Sequence, residues 1–338
     1  MNLWYYLLFF FGSLLLTGLF RRYAVKVFLL DIPNQRSSHA TPTPRGGGIA
    51  IIVTFLAGGW LLVRFAVLPI QVFCGVGLSS LVVAGIGLWD DFRSVPAWVR
   101  LAVHLLASAL VLFWGVTVHL VSFLPGTLLW GGWFGGLLAV ISLAWLLNLF
   151  NFMDGIDGIA AVETMSVAGS AMLLLWFSGA TGMYVSWLGI LVAATAGFLV
   201  WNWPPVKIFM GDACSGFLGF CLGIFAIMTS ADTKMTLWTW LILLGVFIAD
   251  ATVTLLQRIL RKDRFLEPHR SHAYQIFARR LHSHKKVTLG VLAVNVLWLL
   301  PWAFFSISWP CYNLIFALVS YAPLVLLCLM VGAGTINE

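Results

Sequence analysis

The sequence predicts an all-α polytopic membrane protein, and three observations carry that prediction. Of 338 residues, 61% are hydrophobic and only 9% are charged, a balance that water-soluble domains do not show. The apolar residues gather into roughly eleven stretches, each near the ~20 residues a helix needs to cross ~30 Å of hydrocarbon. Of the nineteen Lys and Arg residues, all but Arg64 and Lys234 fall in loops that alternation assigns to one side, the cytoplasmic one. The N-terminus is then periplasmic and the C-terminus cytoplasmic.

The stretches run at roughly 3–20, 47–65, 69–89, 98–120, 132–150, 158–178, 183–202, 211–231, 236–258, 287–307 and 310–331. Their length and lack of alternation exclude a β-barrel, and backbone in lipid must bond within itself, so each is expected to be helical. No basic residue precedes the first stretch, and Arg21 and Arg22 follow it. It therefore reads as a retained, reverse-oriented anchor and not as a signal peptide. Residues 1–338 read as one membrane domain without internal repeat, carrying a basic, amphipathic cytoplasmic segment at about 259–286. A net charge of +7 fits attraction to an anionic inner leaflet, with no nucleic acid as partner. The cysteines, Cys74, Cys214, Cys221, Cys311 and Cys328, form no CxxC pair, so neither a zinc site nor a disulfide framework is expected.

Against so apolar a background the charges inform. Asp31, Asp90, Asp91, Asp154, Asp157 and Asp212 all fall at the cytoplasmic ends of stretches. Carboxylates gathered on one face beside basic and amide groups point to a divalent cation holding phosphates. The first loop, from Asp31 through Arg45 to the triple glycine 46–48, reads as a phosphate or nucleotide loop that brings backbone close to a ligand, or as a plain hinge. Asp90 and Asp91 are adjacent and need a cation or a basic partner, unless they mark a hydrated helix end.

Asn148, Asn151, Asp154 and Asp157 recur every third residue, which in a helical or 3₁₀ turn projects them to one side, suited to metal, ribose or base. Four such groups at a membrane end are costly unless used. In the fourth loop stand Asn202, Lys207 and Asp212. Asp212 is either a helix N-cap or, beside the other loops, the best candidate metal ligand. The fifth loop holds His269, Arg270 and His272 ahead of a short amphipathic helix with one face at Ala273, Ile276, Phe277, Arg280 and Leu281. Phosphate contact fits these three better than zinc, because further ligands are lacking. Glu163 and Asp250 lie deeper and either line the same cavity or pair with buried donors.

In order along the chain stand DIPNQRSSH (31–39), PTPRGGG (42–48), DDFR (90–93), NFMDGIDG (151–158), FMGD (209–212) and HRSHAYQ (269–275). Together they resemble the polyprenyl-phosphate sugar-1-phosphate transferases, which include MraY and WecA, over about residues 31–286. The form at 269–275 is most similar to the WbpL-like branch that initiates O-antigen. It departs from the His-rich triplet of MraY-type enzymes, and Cys214 stands where many members carry Gly.

The resemblance implies transfer of an N-acetyl-sugar 1-phosphate from a UDP-sugar to undecaprenyl phosphate at the bacterial inner membrane, with Mg²⁺ or Mn²⁺. A 6-deoxy donor such as UDP-N-acetylfucosamine or UDP-N-acetylquinovosamine is implied by the branch. Asp212 and Asn151 would be metal ligands. Asp154, Asp157 and Asn202 would hold the nucleotide or support the metal, with Asn148, Arg45 and Lys207 also on the substrate. Asp90 would deprotonate or position the lipid phosphate, with Asp91 beside it, and His269, Arg270 and His272 would clamp the diphosphate or sugar. A second copy of the chain is a further expected partner. One-step transfer and a two-step path through an aspartyl phosphate both remain open. The alternatives are a phospho-N-acetylmuramoyl-pentapeptide transferase and, from another class, an ion-coupled transporter, against which stand acids at helix ends and the lack of a repeat.

Overall fold

A computed structural model describes residues 3–27, 29–31, 42–114, 132–180, 182–263 and 269–335. It is all-α apart from a two-stranded antiparallel pair, β1 (Leu30–Asp31) and β2 (Thr43–Pro44), with Asp31 opposite Thr43. Residues 32–41, which carry most of the first motif, and Pro268 lie outside the described residues.

Every predicted stretch is helical: α1 (Leu3–Lys26), α2 (Ile49–Arg64), α3 (Ile70–Phe92), α4 (Ala97–Phe113), α5 (Gly132–Met153), α6 (Ile159–Phe177), α7 (Met183–Asn202), α8 (Asp212–Asp232), α9 (Leu237–Leu243) with α10 (Gly245–Leu260), α12 (His284–Val294) with α13 (Leu300–Ser308), and α14 (Asn313–Val331). A short α11 (Ala273–Leu281) lies between α10 and α12. Among the described residues eight helices are long and apolar enough to cross a bilayer, and α9 with α10 makes a ninth bent by 78°. The apolar helices α2 and α4 are shorter, with 16 and 17 described residues. The bend falls at Leu244–Gly245, where the side chains of Leu299 and Leu324 close on Gly245. The α12–α13 span contains a π-turn at Asn295–Leu299, which turns the Asn295 amide onto Glu163 Oε2 at 2.6 Å and Ser166 Oγ at 2.7 Å. Glu163 is thus a buried, paired carboxyl inside the bundle.

Helix α8 is the axis and is almost wholly buried. It packs against α3 and α5, and α7 packs against α1, α2 and α6. Small residues make the close contacts: a Cβ on Gly219 would stand 2.7 Å from the Leu146 carbonyl, so only glycine admits α5 at that distance. Phe55 stacks on Trp187 at 5.1 Å, with Phe217 and Phe225 edge-on. On the outside, Leu3, Trp4, Leu15 and Leu19 of α1 and Leu318, Leu326 and Met330 of α14 are exposed. In water that surface would be a large apolar patch; in lipid it costs nothing.

Candidate active site

Adjacent helices run in opposite directions, so the acid-bearing loops meet at one end of the bundle. At its centre is the start of α8. Gly211 takes φ +85°, a conformation that favours glycine. Asp212 is the first helical residue, so the N-cap alternative for it does not hold. The capping carboxylate comes from α3: Asp91, 2% exposed, accepts the amides of Asp212 at 3.1 Å and Ala213 at 3.3 Å. Helix starts leave such amides unpaired, and a carboxylate there satisfies them with favourable dipole interaction. Asp91 is therefore turned onto backbone, and the Asp212 side chain is left for other work.

Asp90 stands beside the Asp212 carboxyl. It accepts the Val95 amide at 2.7 Å and pairs with Arg100 at the start of α4. Arg100 also lies 3.9 Å from Asp212, and Arg45 lies 3.9 Å from Asp91. Two guanidinium groups thus flank three carboxylates. Arg100 had no motif to mark it; its one sequence signal is a lone cation inside an apolar helix, ten residues after Asp90.

The triple glycine packs against the segment before α8. The Gly47 and Gly48 amides donate to the carbonyls of Phe209 and Met210 at 2.9 and 3.0 Å. A Cβ on Gly48 would fall 2.2 Å from the Cys214 Cβ. The bare backbone of the first loop thus makes room for Cys214, and brings Arg45 alongside Asp91.

The polar row at 148–157 splits where α5 ends at Met153. Asn148 turns to His104 Nδ1 at 3.2 Å. Asn151 accepts from Ser215 on α8 at 2.9 Å, which places its amide beside Asp212's helix start. Asp154 is half-buried in the turn, and burial together with the carboxylates of Asp212, Asp157 and Asp91 pushes its carboxyl well above the usual range. Asp157 ties three loops. It accepts the Val206 amide at 3.3 Å, stands 3.0 Å from His284 Nδ1, and receives Thr288 Oγ1 on its carbonyl at 3.0 Å. Asn202, 3% exposed, spends its side chain on backbone: it accepts from Gly158 N and donates to Ile208 O, each at 3.0 Å. Gly158 has φ +76°, the left-handed turn that starts α6.

Lys207 is exposed. Its ammonium and the Arg21 guanidinium lie 5.5 and 5.7 Å from the Trp201 ring.

Helix α11 closes the site. Its buried residues are Ala273, Tyr274, Ile276 and Ala278, while Arg280 and Leu281 of the predicted face are exposed. The face rotates because Tyr274 Oη reaches the Phe152 carbonyl at 3.0 Å, pinning α11 over the 151–157 turn. The His269, His272 and Tyr274 rings stack in a row, at 4.9 and 5.8 Å. Burial, then the nearby His272 and Arg258, pushes His269 down to about 4. A cleft of about 640 Å³ opens beside Asp157, walled by Pro204, Arg270, Arg279, His282 and Lys285. His284 and Asp250, which prove to position this segment, carried no motif.

The donor set for a metal is oxygen: Asp212, Asp154 and the Asn151 amide. Among the described residues no three His, Cys, Asp or Glu side chains form a ready-made cage. Oxygen donors of this kind are those Mg²⁺ would take, with water and substrate phosphate completing its shell. The crowding of like charge around Asp154 is relieved by such a cation.

Fold and site together define a class: an integral-membrane helical bundle with an acidic, cation-flanked centre at one end. The model described as Glycosyl transferase family 4 matches residues 73–230. The probable undecaprenyl-phosphate N-acetylglucosaminyl 1-phosphate transferase of Bacillus subtilis is 29% identical over 83% of this chain and 78% of its own length. The decaprenyl-phosphate N-acetylglucosaminephosphotransferase of Mycolicibacterium smegmatis is 29% identical over 81% and 74%. A phospho-N-acetylmuramoyl-pentapeptide-transferase of Lacticaseibacillus paracasei is 27% identical over 64% and 68%. These matches support the polyprenyl-phosphate N-acetylhexosamine-1-phosphate transferase family, the MraY/WecA group, as the one to which the chain is similar.

Proposed function

We propose that this protein transfers an N-acetylhexosamine 1-phosphate from a UDP-sugar to undecaprenyl phosphate, at the cytoplasmic face of a bacterial inner membrane. The observation that carries this reading is the carboxylate cluster at the α8 start, bracketed by Arg45 and Arg100 and joined through Asp157 to a cationic cleft. Both substrates are anionic and repel. Such a site gathers them and stabilises charge at the transferring phosphorus.

Asp212, Asp154 and Asn151 would hold Mg²⁺, which supplies Lewis-acid charge on the donor diphosphate. The cleft cations Arg270, Arg279 and Lys285 receive donor oxygens. An acceptor phosphate oxygen attacks the donor β-phosphorus. The bond from that phosphorus to the bridging oxygen breaks, and UMP leaves with the electron pair. A phosphate monoester is mostly dianionic at pH 7, so the acceptor needs no strong base. Asp90 then acts by holding Arg100 toward the acceptor.

The relatives' names support N-acetylglucosamine as the sugar. The sequence at 269–275 favours a second reading, a 6-deoxy N-acetyl sugar and a start to O-antigen synthesis, because a pocket fitted to a C6 methyl leaves a hydroxyl unpaired. Competition between the two donors, read as kcat/KM, separates them: a lead for the 6-deoxy donor supports the second reading and a lead for UDP-N-acetylglucosamine the first. Exchange of labelled UMP into UDP-sugar that depends on lipid phosphate tests the reaction class; a transporter would show none.

A further inference from the structure

Asp250 lies on α10, away from the acid-bearing loops, yet it is wholly engaged with the segment that carries His272. Its side chain is 5% exposed and that of His272 6%. Oδ1 accepts the Ala273 amide at 2.8 Å and the Thr254 hydroxyl at 3.1 Å, and lies 3.3 Å from His272 Nδ1. Oδ2 accepts the Tyr274 amide at 2.9 Å. Four donors converging on two oxygens suit an acceptor-only carboxylate, so the proton on the His272 ring belongs on Nδ1. The opposite nitrogen, Nε2, is then the one left for a ligand.

The same carboxylate satisfies two amides of the α11 start, so ring and helix are held by one group. His269 and Tyr274 sandwich the His272 ring and restrain its rotation. The grip continues outward: Tyr274 Oη holds the Phe152 carbonyl, next to Asn151 and Asp154, and the Gly334 amide holds the Ser271 carbonyl at 2.8 Å.

We propose that Asp250 is a positioning residue that acts through His272: it holds the imidazole as the Nδ1–H tautomer, with Nε2 presented as an acceptor to a hydroxyl of the donor sugar. The inference rests on the transferase reading above, and it explains why an apolar helix keeps a buried carboxylate nearly three turns from its C-terminal end.

The test is a double-mutant cycle in nanodiscs, with UMP release as the readout and thermal unfolding as the folding control. His272→Ala and Asp250→Asn are each expected to lose activity on the order of 10–100-fold, the range for groups that orient a working imidazole. Asp250→Asn placed in the His272→Ala background is expected to stay within about two-fold of His272→Ala alone. Asp250→Glu, which keeps a carboxylate, should recover part of the loss. A full additional loss in the His272→Ala background would mean that Asp250 acts on the fold at large and overturns the proposal. Solid-state ¹⁵N spectra of histidine-labelled wild type need no variant to fold: His272 should show protonated Nδ1 and bare Nε2, and the reverse tautomer overturns the proposal. Absence of UMP release by the wild type would defeat the transferase reading instead, leaving the tautomer result to stand by itself.

Discussion

Asp91 accepts the backbone amide of Asp212 at 3.1 Å, so the carboxylate near the end of α3 caps the start of α8. That bond divides the labour of the adjacent acids: Asp91 builds the helix start, and Asp90 faces the Arg100 guanidinium. Asp91→Ala should therefore behave as the loss of a buried cap, costing about 0.5–2 kcal/mol, together with lower activity because Asp212 is no longer held. Thermal unfolding in nanodiscs measures the first effect; an unchanged Tm would show that the amides find another partner.

Asp90→Asn and Arg100→Ala should share a phenotype. Both break the pair proposed to face the acceptor, so both should lose most turnover while UDP-sugar binding, measured by calorimetry, stays near wild type. Arg100→Lys should recover only part of the rate, because an ammonium cannot serve Asp90 and a phosphate with one planar fork. Loss of nucleotide binding in either variant would move the pair to the donor side.

Gly48→Ala should be poorly tolerated, because its Cβ would meet Cys214 Cβ at 2.2 Å and Sγ at 2.7 Å. Cys214→Gly in the same chain should recover much of the lost yield and Tm. No recovery would locate the strain at Met210, whose Cγ lies 2.9 Å from the same point.

The His269 imidazole is pushed from 6.5 down to about 4 by burial and by neighbouring positive charge. Below pH 6.5 the unfolded chain takes up a proton that the folded one refuses, so this residue withdraws stability as pH falls from about 6.5 toward about 4. His269→Gln should flatten part of the fall in Tm between pH 7 and pH 5. An identical fall in both proteins would assign the acid sensitivity elsewhere.

A cysteine introduced at Lys234 should react with an impermeant reagent from the periplasm, and one introduced at Arg93 should not. The reverse pattern would put the site on the other side of the membrane.

Much of this was legible in the chain itself. Each apolar stretch is a helix because length and composition leave lipid-embedded backbone no alternative. The acids gather because alternating spans return every second loop to one end. What escaped sequence reasoning depends on neighbours remote in the chain. Asn202 looks like a ligand group but holds Gly158 and Ile208 backbone. The triple glycine spends two amides on Phe209 and Met210. Arg100 and Asp250 stand singly in apolar helices, where no local pattern announces their partners. The 148–157 row breaks at Met153 because the helix ends there, which the every-third spacing does not reveal.

Purified protein incubated with undecaprenyl phosphate, Mg²⁺ and UDP-N-acetylglucosamine or its 6-deoxy analogue should release UMP, matched mole for mole by a lipid diphosphate-sugar, and a folded Asp212→Asn variant should not. Release of UDP, or undiminished UMP release by Asp212→Asn at saturating Mg²⁺, would contradict the proposed function.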